Sequence, residues 1–448
     1  MNKDFVLRHA QPVPRYTSYP TAPHFHDGVK AHQHADWLKS IRPGEDLSLY
    51  AHIPFCDSLC WFCGCHTKQT RQYAPVAAYL KSLHCEIETV RSFTGKRGVV
   101  RHVHLGGGSP TMLTPADLKA LLDGMRAAFS FAEDAEIAIE IDPRDLDEAR
   151  LDGLVAAGLT RASIGVQDFD PVVQKAINRM QSYEMTRDAV AGLRARGVSS
   201  VNLDVVYGLP YQTRDRLTDT IEKVVSIRPD RIALFGYAHV PWMKKHQTMI
   251  DEQALPDTLE RFAEANRAAS MLTAAGYQRI GMDHFALPGD SMAIAAENGA
   301  LRRNFQGYTT DDATLIGFGA SAISSLRQGY IQNITATGVY RDTVERGELA
   351  TARGFELSYD DRIRRRVIEL LMCDFRFTRS GLLAEFGDRV LPVLEDAEYL
   401  AAADADDMFE SDGDTFYVTG KGAPFVRSIA SAFDSYFGQG AARHSAAV

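Results

Sequence analysis

The chain has 448 residues, 45% of them hydrophobic and 24% charged, with a formal net charge of −9. That is about three domains' worth of chain with room for a sizeable core, and the acidic balance excludes a surface built to grip nucleic-acid phosphates, which takes clustered positive charge. No stretch of about 18 apolar residues offers a membrane span, and Arg8, Pro12, Pro14 and Arg15 interrupt the region where an export signal needs an apolar run, so a cytoplasmic protein with reduced cysteines is expected.

Residues 1–43 carry Pro12, Pro14, Pro20 and Pro23 around the run Arg15-Tyr16-Thr17-Ser18-Tyr19-Pro20-Thr21-Ala22. Paired tyrosines and a phenylalanine are uncommon in disordered tails, so this is expected to be an ordered arm packed on the main domain. From residue 44 to about 353, short apolar strands alternate with helical stretches, the pattern of a repeated parallel α/β unit. The strands expected are Leu47–Ile53, Val99–Leu105, Glu136–Ile141, Arg161–Val166, Ser200–Tyr207 and Arg231–Ala238. Between the first two, Val76, Leu80, Leu83, Ile87 and Val90 recur at helical spacing. Further helices are expected over 115–129, 145–157, 183–196, 214–227 and 257–275. Six such units make a barrel-like sheet.

The first strand leads into Cys56-Asp57-Ser58-Leu59-Cys60-Trp61-Phe62-Cys63-Gly64-Cys65, which holds four of the six cysteines in the chain. Cysteine thiolates bind zinc or iron–sulfur clusters. Cys56, Cys60 and Cys63 have C-x3-C-x2-C spacing, which lets one loop ligate three irons of a four-iron cluster and leave the fourth open. Cys65 follows Cys63 too closely to bring a sulfur round to the far corner. With no second CxxC pair to complete it, a structural zinc site is disfavoured, and a redox disulfide more so. Cys85 and Cys373 sit in apolar helical patterns and read as core residues. The triad resembles that of the radical S-adenosylmethionine superfamily, in which the cofactor's amino and carboxylate groups chelate the open iron.

In a parallel barrel, ligands meet the C-terminal ends of the strands. Gly106-Gly107-Gly108-Ser109 follows the second strand, Glu140 ends the third, Gln167 the fourth, Asp204 lies in the fifth, and His239 follows the sixth. The glycines read as a loop whose backbone N–H and C=O groups approach a ligand closely. Glu140 and Asp204 read equally as a local cap and a local pair. Beyond His239 the barrel pattern stops. The stretches 281–286, 304–310 and 317–323 read as loops that line or lid the site. From 354 to 448 a small, mostly helical unit is expected, with a hairpin at Asp412-Gly413-Asp414, a last helix over 423–437, and a polar helix end or loop over 401–407.

More of the chain carries a closer likeness. The arm from Pro14 to Thr21, Cys65, Gly165-Val166-Gln167-Asp168-Phe169, Tyr207-Gly208-Leu209-Pro210, Gly281 to Ala286 and Asn304 to Thr310 together resemble the oxygen-independent coproporphyrinogen III oxidases, from about Pro14 to Tyr436. Trp61 stands where members commonly have tyrosine, and Ser109 where they have threonine. The resemblance implies a partial (β/α)6 TIM-like barrel of the radical S-adenosylmethionine type. It also implies oxidative decarboxylation of two propionates of coproporphyrinogen III to vinyl groups, giving protoporphyrinogen IX in haem biosynthesis through a 5′-deoxyadenosyl radical.

By the same resemblance, Cys56, Cys60 and Cys63 carry one 4Fe–4S cluster, and Tyr50, Gly107 and Glu140 contact S-adenosylmethionine. Phe62, Gly108, Ser109, Gln167, Arg179 and Asp204 match positions around a second molecule of it, and Ala238 and Ile323 fit the adenosyl pocket. Arg15, Tyr16 and Tyr19 are candidates for propionate contacts. A monomer with an unidentified electron donor and acceptor is expected. The alternatives are a haem-binding chaperone on the same scaffold, whose members generally lack Cys65, the tyrosine-rich arm and Asp283-His284, and a structural metal protein.

Overall fold

The computed structural model describes residues 1–438. Its centre is a twelve-stranded sheet. We number these strands along the chain: β1 (Asp46–Ile53), β2 (Val99–Gly107), β3 (Ser130–Ile141), β4 (Arg161–Gln167), β5 (Ser200–Tyr207), β6 (Arg231–Gly236), β7 (Gln278–Ile280), β8 (His284–Ala286), β9 (Thr314–Phe318), β10 (Ile323–Leu326), β11 (Gly329–Asn333) and β12 (Thr351–Glu356). Their spatial order is β12-β11-β10-β9-β1-β2-β3-β4-β5-β6-β8-β7.

All six strands expected from the sequence are present and parallel, each beside the next. β1 is buried at nearly every position, as suits a parallel strand covered on both faces. The helices between strands begin where a short polar side chain can accept an orphan N–H: Thr114 from Asp117, Asp147 from Arg150, Ser182 from Met185 and Thr213 from Arg216. Each such start turns the chain out of a strand-tip loop, which leaves the loop residues at one end of the sheet.

Two expectations about 281–326 change. Thr314–Phe318 is a seventh parallel strand, paired with β1 from Leu47↔Thr314 to Ala51↔Phe318 and buried throughout, rather than part of a lid. Its five residues are flanked by Ala313 and Gly319, and the element before it is the short strand Gly307–Thr309 rather than a helix, so it carries no βα signature. His284–Ala286 extends the other edge, antiparallel to β6. The sixth strand ends at Gly236 rather than Ala238.

The arm divides between two cores. Val29, Ala35, Trp37, Leu38 and Ile41 join the barrel core, whereas Val6, Val13, Tyr16 and Tyr19 join the core of the C-terminal unit. That unit has helices Tyr359–Asp374, Arg379–Phe386 and Leu391–Ala403 around a three-stranded antiparallel sheet, including the expected hairpin. The expected last helix is broken: only Val426–Ala430 is α-helical, with 3₁₀ turns at Ala423–Phe425 and Ser431–Phe433. Pro424 has no N–H to give the ladder, and the Ser431 hydroxyl bonds the Ser428 carbonyl at 2.7 Å, competing with it. Cys373 is buried as expected, but Cys85 is exposed, on the outer face of the Ala74–Thr94 helix. The expected unit's last residues, 439–448, lie outside the described residues. Among the described residues no helix is long and apolar enough to cross a membrane.

Candidate active site

β1 feeds Phe55–Cys56, which pairs in parallel with Lys68–Gln69, so the cysteine loop leaves and returns side by side. The loop's own carbonyls are tied down from outside. Lys244 Nζ donates to Cys65 O (3.0 Å), His246 Nε2 to Cys63 O (2.6 Å), Gln247 Nε2 to Phe62 O (2.8 Å) and Asn178 Nδ2 to Leu59 O (2.9 Å). A ten-residue loop with few internal bonds is thereby held by the tips of neighbouring units.

Cys56, Cys60, Cys63 and Cys65 line one cavity of about 430 Å³. Two guanidiniums face Cys60 Sγ, Arg179 Nη1 at 3.6 Å and Arg144 Nη2 at 3.7 Å, and both also donate to Asp142, at 2.9 and 2.6 Å. Arg179 Nη2 reaches the Gly165 carbonyl at 2.8 Å. Positive charge thus stands beside a sulfur, balanced by one carboxylate. The Cys65 N–H donates to Cys63 Sγ at 3.4 Å, and the exposed surface of Cys65 opens on the cavity.

Glu140, at the tip of β3, accepts from the Gly107 N–H (3.0 Å) and from His104 Nε2 (3.2 Å). Burial works to raise its pKa, but the hydrogen bond and charge of His104 and the Gly107 N–H outweigh it and hold the carboxylate below its usual range. Asp204, bonded by Asn202 (2.7 Å) and Ser163 (3.3 Å), is pushed up to about 6 by burial, with the Glu140 charge adding to the shift. Gln167 sits at φ 68°, a left-handed conformation uncommon for a residue with a side chain. Arg15 crosses from the arm to donate to Gly236 O at 2.8 Å.

In the glycine loop the backbone donors are already engaged. The Gly107, Gly108 and Ser109 N–H groups are committed to Glu140, Ile53 O and Phe55 O, so none is free for a ligand. A Cβ on Gly108 would lie 2.4 Å from Phe55 O, and one on Gly107, at φ +109°, would meet the His52 ring at 2.5 Å. Glycine is required here to pack the β2 tip against the base of the cysteine loop.

Three soft thiols on one loop, facing a cavity with cationic donors beside them, fit an iron–sulfur cluster. Both a central segment and the whole chain have known counterparts. Residues 50–224 match the model of the radical SAM superfamily. The oxygen-independent coproporphyrinogen III oxidase of Bradyrhizobium diazoefficiens is 46% identical over the whole of both chains, and that of Pseudomonas aeruginosa 41% identical over 97% of this chain and 95% of its own. The solved structure of coproporphyrinogen III oxidase HemN from Escherichia coli, described as a radical SAM enzyme, superposes with a TM-score of 0.90 at 39% identity, covering 95% of this chain and 100% of its own.

The chain belongs to the oxygen-independent coproporphyrinogen III oxidase family.

Of the positions that likeness to the coproporphyrinogen oxidases singles out, Arg15, Cys56, Cys60, Phe62, Cys63, Gly107, Gly108, Glu140, Gln167, Arg179, Asp204 and Ala238 all line the cavity. Tyr50, Ser109 and Ile323 are not in its lining. Tyr50 Oη bonds His52 Nδ1 (3.0 Å) below it, Ser109 Oγ bonds Thr111 and Asp145, and Ile323 packs beside Phe25, Tyr330 and Leu357. Tyr16 and Tyr19 are not brought to the cavity at all. Both are buried in the C-terminal core, with hydroxyls on Asp434 (3.0 Å) and Ser435 (2.8 Å), so they anchor the arm that carries Arg15. Arg144 was missed. The signal was available, because Asp142-Pro143-Arg144 follows the same strand tip that gave Glu140. The loop clamp at Lys244 to Gln247 had no such signal, since it follows no strand directly.

Proposed function

We propose that this protein decarboxylates two propionates of coproporphyrinogen III oxidatively to vinyl groups without oxygen, forming protoporphyrinogen IX for haem biosynthesis. The reading is supported by the full-length likeness to oxidases of that name. The single observation that carries it is the three-thiol loop opening, with Glu140 and Arg15, onto one cavity.

An unactivated C–H bond is beyond any side-chain base, and when bound the cluster and S-adenosylmethionine supply a carbon radical able to take its hydrogen. The protein's own work is to hold, orient and shield. Cys56, Cys60 and Cys63 would hold the 4Fe–4S cluster, with Arg144 and Arg179 neutralising charge at Cys60. Glu140 would accept the cofactor's amino group beside Gly107, steadied by His104, on which Tyr50 stacks, while Ala238 would flank its adenosyl end, with Ile323 behind the lining. Phe62, Gly108, Gln167, Arg179 and Asp204 would surround a second S-adenosylmethionine, with Ser109 behind them on Asp145. Arg15 would pair with a substrate carboxylate. Loss of a hydrogen atom and then of carbon dioxide leaves one electron per propionate, which an acceptor must take. We read the protein as a cytoplasmic monomer served by a separate electron donor.

Anaerobic incubation of the reconstituted protein with coproporphyrinogen III, a low-potential reductant and S-adenosylmethionine tests the proposal. Vinyl product is expected. Tight haem binding with no decarboxylation would replace it with a chaperone role.

A further inference from the structure

The turn that leaves β3 sets a charged bracket against one sulfur of the cysteine loop. Asp142 caps the 3₁₀ turn Pro143–Asp145: its Oδ1 accepts the Arg144 N–H at 3.1 Å and Arg144 Nε at 2.9 Å, and its Oδ2 accepts Arg144 Nη2 at 2.6 Å. This paired grip leaves Arg144 one orientation. Asp142 Oδ2 also accepts Arg179 Nη1 at 2.9 Å, and Arg179 belongs to a segment that already holds the loop, with the Trp61 N–H on Ile177 O (2.9 Å) and Asn178 Nδ2 on Leu59 O (2.9 Å). Both guanidiniums reach Cys60 Sγ, Arg144 at 3.7 Å and Arg179 at 3.6 Å.

The three sulfurs are treated unequally. Cys56 Sγ meets the Thr67 hydroxyl at 3.2 Å and Cys63 Sγ accepts the Cys65 N–H at 3.4 Å, so their hydrogen-bond partners are neutral. Those of Cys60 are cations. The side chains of Arg144, Arg179 and Asp142 are 17, 8 and 13% exposed, so little water screens them. Of the other acids nearby, Asp145 takes the Ser109 hydroxyl at 3.0 Å and Asp57 is exposed.

Arginine keeps its proton at any working pH, so both donors are permanent. A hydrogen bond or a positive charge at a ligand sulfur favours the redox state in which that sulfur carries more negative charge, the reduced one. The step concerned is a single electron transfer. The low-potential reductant loses the electron, the group held by the thiolates gains it, and no bond is made or broken. Asp142 opposes the two guanidiniums in this, because its own charge disfavours the reduced state.

We propose that Arg144, aimed by Asp142, is a positioning residue that acts through Cys60 to raise the reduction potential of the bound cluster, while Asp142 limits the rise. This rests on the functional reading above. The test is an anaerobic redox titration, followed by electron paramagnetic resonance, of the full-length reconstituted protein without S-adenosylmethionine. Wild type is compared with Arg144→Gln, Arg144→Lys and Asp142→Asn, after iron, sulfide and melting temperature have been measured for each. Arg144→Gln is expected to weaken reduction at least about tenfold, about 59 mV toward more negative potential for one electron. Arg144→Lys is expected to stay within about threefold of wild type, and Asp142→Asn to shift to a more positive potential. A purely structural role would not give opposite signs at two residues that hold each other. Potentials unmoved, or moved the same way in Arg144→Gln and Asp142→Asn, overturn the proposal. So does loss of the cluster from Arg144→Gln, which makes Arg144 an assembly residue. Should Asp142→Asn take up no iron, the two Arg144 variants decide alone: a tenfold loss that Arg144→Lys restores supports the proposal, and its absence overturns it. A wild type that takes up no iron and sulfide removes the functional reading instead, whereas potentials that shift as stated with no vinyl product remove the reaction alone.

Discussion

Glu140 accepts the Gly107 N–H at 3.0 Å, so the carboxylate at the tip of β3 is fastened to the glycine loop at the tip of β2. The same loop packs on Ile53 and Phe55 at the base of the cysteine loop. One side chain therefore aligns the proposed cofactor contact with the proposed cluster ligands.

Glu140→Ala is expected to assemble its cluster and bind S-adenosylmethionine at least about tenfold more weakly, the loss of a charged hydrogen bond being about 1.5–3 kcal/mol. Equilibrium binding to the reconstituted variant checks this. Wild-type affinity would reduce Glu140 to a brace for the loop.

Replacing Cys56, Cys60 or Cys63 with Ser is expected to abolish cluster assembly, because each supplies one of three proposed ligands. Cys65→Ser is expected to keep a full iron and sulfide complement, since Cys65 is proposed to stand beside the cluster without ligating it. Metal and sulfide analysis of the four variants decides between these roles. A cluster lost in Cys65→Ser would move that residue into the ligand set.

Glu86 is buried, 2% exposed, and accepts from Gly319 N–H (2.7 Å), Tyr340 Oη (2.6 Å) and Asn333 Nδ2 (2.6 Å), holding the turn after β9. Burial outweighs those bonds and pushes its carboxyl up to about 7. With an unfolded value of about 4.3, the folded state binds the extra proton between those limits, so stability falls as pH rises from about 4 to 8. At most about 4 kcal/mol is at stake, since each tenfold change in proton affinity is worth about 1.36 kcal/mol. Urea titrations at several pH values should give wild type a steeper decline than Glu86→Gln. Equal slopes would contradict the assignment.

Tyr16→Phe removes a buried hydrogen bond to Asp434 and is expected to cost about 1–2 kcal/mol of stability. Because Tyr16 adjoins Arg15, KM for coproporphyrinogen III should rise while S-adenosylmethionine affinity holds. Loss of cofactor affinity instead would tie the arm to the cofactor rather than the substrate.

The parallel units were legible because each strand is a short apolar run and each helix a 3.6-residue stripe, and the site followed from one rule, that polar residues at strand tips face ligands. Thr314–Phe318 escaped that logic, because a five-residue strand buried on both faces has no alternation to betray it. The placement of Tyr16 and Tyr19 is hidden from the sequence for a different reason. Their partners, Asp434 and Ser435, lie more than 400 positions away in the chain, and no local pattern reveals whether an aromatic residue in an arm faces a cavity or a distant core.

The most direct test of the proposed chemistry follows one hydrogen. Coproporphyrinogen III deuterated at the propionate carbon next to the ring is turned over anaerobically with S-adenosylmethionine and a reductant, and the nucleoside product is weighed by mass spectrometry. The account predicts deuterium in 5′-deoxyadenosine, in step with vinyl formation. Vinyl product accompanied by unlabelled 5′-deoxyadenosine would contradict it.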